Sequence, residues 1–244
     1  TRSYSQIVTL DYAHKSMNDT SGTTGNSETS EKSLDSLTAK FTEKRNTNFF
    51  DHSGKLTTTV GITAGKVNMD NDVAKTNDVT IKTAGNYAKL NLNITHSQQL
   101  NPEFTLKTTL NAQKSLGKNL DSSEDISVGG SNGVKAYEDS ELSGDQGYVA
   151  GLSLSYALPK INQITHYASI FTDTATIWKN DNRFNSEDNQ RTLNEIGLGY
   201  DLNYKTLDFK TTFAHGFGSE STPVSEAEYS TNKNKILAQA IMRF

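Results

Sequence analysis

Residues 147–158 read GYVAGLSLSYAL. Tyr148, Ala150, Leu152, Leu154, Tyr156 and Leu158 fall on one side of that stretch, and Gly147, Gly151, Ser153 and Ser155 on the other. Apolar residues spaced by two, rather than by three and four, mark a β-strand with one apolar face. The spacing returns along the chain. Ile196, Leu198, Tyr200, Leu202 and Tyr204 stand against Glu195, Gly197, Gly199, Asp201 and Asn203. Ala88, Leu90, Leu92 and Ile94 stand against Lys89, Asn91, Asn93 and Thr95. Leu207, Phe209, Phe213 and Phe217 stand against Asp208, Lys210 and Thr212.

Working outward, ten segments qualify: 3–16, 33–48, 54–67, 83–97, 103–116, 146–158, 163–178, 191–203, 206–217 and 234–244. Many exceed the roughly 5–6 residues of a soluble strand. Each can supply the roughly 9–11 that cross a bilayer. The connections alternate in length, long at 17–32, 68–82, 117–145, 179–190 and 218–233, short at 49–53, 98–102, 159–162 and 204–205. A soluble sandwich has no reason for this alternation, whereas an outer-membrane barrel has short turns at one rim and long loops at the other. Asp70-Asn71-Asp72 and Asn180-Asp181-Asn182-Arg183 suit solvated loops, and Pro102 and Pro159 suit tight turns. An even strand number returns both chain ends to the short-turn rim. The expected fold is all-β, an antiparallel transmembrane β-barrel. A soluble all-β sandwich and a β-solenoid are the alternatives.

Composition narrows the choice further. The 244 residues are 33% hydrophobic and 21% charged, with 17 Gly, 3 Pro and no Cys. Counting Gly, the apolar share is about 40%, below the roughly 45–50% of an ordinary domain. A barrel strand needs only every second residue to be apolar, so it tolerates this deficit. The lack of Cys excludes disulfides and thiolate-held metals. No apolar run approaches the roughly 18 residues of a membrane helix. A net charge of −4 argues against a nucleic-acid partner. Ten Phe, ten Tyr and one Trp exclude a disordered chain. Ile236, Ala238, Ala240, Met242 and Phe244 alternate to the end, and a terminal aromatic resembles the signal read by barrel-assembly machinery.

The stretch LDSSEDISVGGSNGVKAYEDSELSGDQGYVAGLSLSYAL, 120–158, is the most specific in the chain. Within it lie Gly129-Gly130, then Val134-Lys135-Ala136-Tyr137, then Gly144-Asp145-Gln146-Gly147 and a strand. The next strand carries Phe171-Thr172-Asp173-Thr174-Ala175. This order resembles the outer-membrane transporters of two-partner secretion, the TpsB family of haemolysin and haemagglutinin secretion proteins in the Omp85 superfamily. Their long loop bears Gly-Gly and Val-Arg-Gly-Tyr or Val-Arg-Ala-Tyr, and the facing strand Phe-x-Asp-x-Gly.

The resemblance implies a sixteen-stranded barrel of which residues 1–244 are the last ten strands. Periplasmic POTRA domains and six further strands would precede them, so the chain is expected to be the C-terminal part of a longer protein. The loop 117–145 would fold back into the lumen, where Lys135 pairs with Asp173. The implied function is export of a large partner exoprotein across the outer membrane of a Gram-negative bacterium, with outer-membrane lipid and the assembly machinery as further partners, no cofactor and no enzymatic activity. Lys135 stands where Arg is common, so a point charge replaces a bidentate fork. Ala175 stands where Gly is common and crowds the approach of the loop.

Residue chemistry supports part of this independently. Phe171, Asp173 and Ala175 share a face with Tyr167 and Ser169, opposite Ile164, Ala168 and Ile170. A carboxylate on the lipid face costs a few kcal/mol, so Asp173 is expected to point inward. Taken singly, Lys135 and Asp173 would read as solvated surface charges worth little. Other chemistry is missing. His14, His52, His96, His166 and His215 lie in separate segments without metal-ligand spacing, His166 and His215 on apolar faces suited to an aromatic girdle. No Ser sits in a Gly-x-Ser-x-Gly elbow, Gly197-Leu198-Gly199 belongs to a strand, and the acidic loops 70–78 and 181–188 lack the pattern of a calcium loop. A small-solute porin and a soluble all-β adhesion or binding module are the alternative functions.

Overall fold

A computed structural model describes residues 4–23, 26–49, 51–218 and 234–243. In chain order its strands are β1 (Tyr4–Thr23), β2 (Asn26–Phe49), β3 (His52–Met69), β4 (Gly85–Gln99), β5 (Phe104–Ser115), β6 (Ile126–Val128), β7 (Leu142–Gly144), β8 (Gln146–Ala157), β9 (Ile164–Trp178), β10 (Gln190–Tyr204), β11 (Leu207–Phe217) and β12 (Asn234–Met242). A single α-helix, α1 (Asp72–Ile81), lies between β3 and β4. Ten strands form one antiparallel sheet in the order β1-β2-β3-β4-β5-β8-β9-β10-β11-β12, and β6 and β7 pair separately. Among the described residues β1 pairs only with β2, and β12 only with β11.

The register turns period-two sequence into two chemically distinct faces. Leu106, Leu154, Ile170, Leu198, Phe213 and Ile236 stand side by side across six strands. Val8, Phe41, Val60 and Leu92 make a second such row. These rows are largely uncovered by protein, with Leu198 59% and Val8 72% exposed. So broad an apolar surface suits lipid. Two sets of aromatics border it: Phe104, Tyr156, Tyr200 and Tyr204 towards the short turns, and Tyr12, Tyr148, Trp178 and Phe217 towards the long connections. His166 is on this outer face, its Nδ1 in hydrogen-bond contact with Tyr200 Oη at 3.0 Å and its Nε2 donating to the Pro159 carbonyl at 3.0 Å.

The inner face is polar, and its side chains bond along the register. Thr38 pairs with Thr63 at 2.8 Å and Thr42 with Thr59 at 2.9 Å. Asn91 donates to Gln113 at 2.9 Å and Asn93 to Asn111 at 2.7 Å. The buried apolar clusters form where the 117–145 loop meets this face.

Two details depart from the sequence expectation. Residues 17–23 and 26–32 are strand rather than loop: the β1–β2 ladder continues to Thr23↔Asn26, so the hairpin runs well past the apolar rows. Its outer part is polar on both faces, which hides the period from a hydrophobicity pattern. The 68–82 connection contains α1, capped by Asn71, whose Oδ1 accepts from the Ala74 N–H at 2.9 Å. Asn71 Nδ2 also donates to the Thr29 carbonyl, so one side chain starts the helix and ties it to β2. The expected connection 218–233, beyond Gly218, and the terminal Phe244 lie outside the described residues.

Candidate functional site

The loop between β5 and β8 leaves and re-enters the wall through a bonded neck. Asp145 Oδ1 accepts from the Leu120 N–H at 2.9 Å and Oδ2 from the Asp181 N–H at 2.6 Å. One buried carboxylate thereby joins both ends of the loop to the β9–β10 connection. Asn119 adds a second tie, donating to the Ile81 and Asn182 carbonyls and accepting from the Asn182 N–H at 2.6 Å. Asp125 lies deeper. Burial and the nearby Asp145 carboxylate push it up to about 7, against a contribution from the Ser143 hydroxyl that lowers it.

Past the neck, Leu120 packs against Leu34, Val67 and Tyr87 on the inner faces of β2, β3 and β4. Asp121 Oδ2 meets Lys32 Nζ at 2.8 Å. Glu124 meets Lys15 at 2.6 Å and Lys89 at 3.0 Å. Lys89 also donates to the Glu124 carbonyl at 2.6 Å. Burial alone would raise both acids. The hydrogen bonds from Lys32 and the Ser123 N–H to Asp121, and from Lys15 and Lys89 to Glu124, outweigh it and hold both below their ordinary values.

The far part of the loop carries the glycine-rich motif. Gly129 and Gly130 have φ of 115° and 56°, and their N–H groups donate to the Gly133 and Val134 carbonyls. A Cβ on Gly129 would strike the Glu138 carbonyl, so only glycine lets the turn close. Val134 follows with φ 62°, an uncommon conformation for a β-branched residue, and is fully buried. Val128, Val134 and Leu142 pack on Val149, Ala175, Ile177 and Leu193 of the wall. The Ala175 methyl is thus part of this core.

Lys135 points from that turn into a row of the wall in which Gly151, Asp173, Glu195 and Gly216 are register neighbours. Its Nζ is 2.8 Å from Asp173 Oδ2 and 3.5 Å from Glu195 Oε1, and sits 4.5 Å over the Phe171 ring. Gly151 leaves the space the Asp173 carboxylate occupies, and Gly197 leaves that of the Phe171 ring. The Ala136 N–H donates to Glu195 Oε2 at 2.5 Å, and Tyr137 Oη to the Asn194 carbonyl at 3.2 Å. Lys235 of β12 donates to the Tyr137 carbonyl and pairs with Glu138, both at 3.1 Å.

Among the residues singled out from sequence, Val134, Lys135, Ala136, Tyr137, Phe171, Asp173 and Ala175 come together here. Gly129 and Gly130 shape the turn beside them. Glu195 was not singled out, although it is fully buried and bonded to two successive loop residues. Its signal was its position: an acid on the inward face of the strand adjacent to Asp173. Asp121, Glu124 and the three wall lysines had no such signal, since spacing alone does not reveal which inward charges meet a loop. Among the described residues no group of His, Asp and Glu is arranged to hold a metal.

The fold has counterparts among solved structures. CdiB from Escherichia coli matches with a TM-score of 0.50 and 13% identity, over 97% of this chain and 51% of that one. CdiB from Acinetobacter baumannii matches with a TM-score of 0.47 and 15% identity, over 98% of this chain and 47% of that one. The chain therefore spans about half the length of the solved structures it matches. No curated protein sequence matches it. The likeness to the Escherichia coli protein shows a CdiB-like barrel fold, here as one ten-stranded sheet whose outer strands β1 and β12 are not paired with each other among the described residues. The sequence profile of the haemolysin secretion/activation protein family ShlB/FhaC/HecB matches residues 1–204 of 244, and the chain belongs to that family.

Proposed function

We propose that this chain forms the barrel wall and inward loop of an outer-membrane transporter that exports one large partner exoprotein by two-partner secretion in a Gram-negative bacterium. Residues 1–244 supply ten neighbouring strands of its wall. The exoprotein crosses the lumen unfolded and folds outside. Lipid covers the apolar face, and barrel-assembly machinery inserts the wall into the membrane. The protein is not an enzyme and needs no cofactor.

One observation supports this reading best: the Lys135 ammonium lies between Asp173 and Glu195, beneath a loop whose apolar residues pack on the wall. A porin constriction needs charges on the wall. It does not need a motif that fastens a long loop across it. Val134, Lys135, Ala136 and Tyr137 form the latch, Gly129 and Gly130 its turn, and Phe171, Asp173 and Ala175 the surface that receives it. In this role the latch opens to let the exoprotein pass. Coexpression of the full-length protein with the exoprotein encoded beside it tests the reading. The exoprotein is expected in the medium only when the transporter is present. Its appearance without the transporter, or its retention in the periplasm with it, would overturn the assignment.

A further inference from the structure

The loop meets the inner wall at two places with opposite polarity. Near its neck an acidic foot, Asp121 and Glu124, sits on basic wall residues of β1, β2 and β4. At its tip the basic Lys135 sits on acidic wall residues of β9 and β10. Each contact has its own apolar cluster, Leu120 with Leu34, Val67 and Tyr87 at the foot, and Val128 and Val134 with the β8–β10 wall at the tip. No apolar cluster joins the two among the described residues.

The two contacts differ in how their charged groups are matched. At the foot, two carboxylates face three ammonium groups, and the Asp121 and Glu124 side chains are 3% and 7% exposed. Asp145 and Asn119 fasten the adjoining neck. At the tip one ammonium serves two carboxylates. Glu195 Oε1 is buried without a hydrogen bond, and its contact to Lys135 is the longer one. The residue before Lys135 is a valine held at φ 62°. Such backbone persists only while the surrounding contacts impose it. A shared ammonium and backbone strain therefore coincide at the tip, whereas at the foot each carboxylate has an ammonium of its own and no non-glycine residue from 118 to 125 has a positive φ.

We propose that the loop comprises two separable docking units, and that the tip releases while the foot stays seated. Asp121 and Glu124 are then positioning residues that fix the hinge, and the moving piece is the 126–144 flap. This deepens the gate reading and rests on it. The long loop would clear the lumen without leaving the wall, and would re-dock from a fixed point.

The test uses the full-length protein in outer-membrane vesicles, in a background without cysteine. A single cysteine replaces either Leu120 at the foot or Ala136 at the tip, both buried, and its reaction rate with a membrane-impermeant maleimide is measured. Lys135→Ala is expected to raise the rate at position 136 by about ten-fold and to leave position 120 within about two-fold, as local opening predicts. Lys15→Ala with Lys89→Ala is expected to raise the rate at position 120 and leave 136 within the same limit. Rates that rise together in either variant would overturn the proposal, as would no rise at 136 on loss of Lys135. Heat-dependent gel mobility verifies that each barrel is folded, and Lys135→Met, which keeps the apolar stem, replaces any alanine variant that is not. Labelling needs no exoprotein, so a failure of the export assignment would leave these rates unchanged and show itself only in the secretion assay.

Discussion

One positive charge between two buried carboxylates is a sensitive arrangement. Hydrogen bonds to charged groups contribute about 1.5–3 kcal/mol, and the one-third exposure of Lys135 places its bond to Asp173 towards the low end. Geometry around the acid matters as much as the charge. A methyl group at residue 151 would occupy the position of Asp173 Oδ1. Gly151→Ala is therefore expected to move the carboxylate and raise protease cleavage within 129–141 several-fold, with the barrel still heat-modifiable. Unchanged cleavage would mean that Asp173 does not hold the tip. Asp125 predicts a pH dependence. Its carboxyl titrates at about 7 in the folded loop and near 4 in water, so docking favours the protonated form. That contribution is complete below about pH 4, declines as pH rises to about 7, and is flat above. Asp121 and Glu124 act in the opposite sense, because their lowered values make the foot lose stability only as pH falls below the ordinary carboxylate range. Protease resistance of the loop is expected to be greatest near about pH 5 and weaker at about pH 8, with Asp125→Asn reducing the alkaline decline, to which the buried Asp145, also raised, contributes in the same sense. Equal resistance of the unmodified loop at both values would contradict the burial of Asp125.

At the scale of elements, the two faces of each strand set different tolerances. Leu198 belongs to the outer apolar row, whereas Asn111 is exposed on the inner face. Leu198→Arg is expected to cost about 2–4 kcal/mol if the residue lies near the bilayer midplane, measured as reversible unfolding in lipid or as loss of folded barrel. Asn111→Arg should cost far less, and a reversed order would place the faces wrongly. The strands were legible in sequence because alternating burial writes a period of two into residues such as Ile196 to Tyr204. That signal fades where both faces meet water. The outer β1–β2 ladder is polar throughout, so 17–32 reads as loop although 17–23 pair with 26–32. Helix α1 was equally hidden. DVAKTNDVTI has weak helical preference, and its Asn71 cap and docking on β2 depend on a neighbour 40 residues away. The tip of the long loop was legible through its motif, the foot was not, because Lys15, Lys32 and Lys89 converge only once three strands are aligned.

For the whole molecule, an antiparallel sheet with a lipid-suited exterior and a hydroxyl- and amide-lined interior gives a wall to which an unfolded chain has little reason to adhere. The β5–β8 loop occupies the inner side of that wall, fastened to β1–β4 at its foot and to β8–β12 at its tip. The central claim is that the tip fastening governs export. Its most direct test is secretion of the partner exoprotein by the full-length transporter carrying Asp173→Ala, at matched transporter abundance in the outer membrane. The account predicts at least about a ten-fold change in exported partner, since removing a buried ionic partner alters the closed state by more than the 1.4 kcal/mol that a factor of ten represents. Secretion equal to that of the unmodified transporter would contradict it.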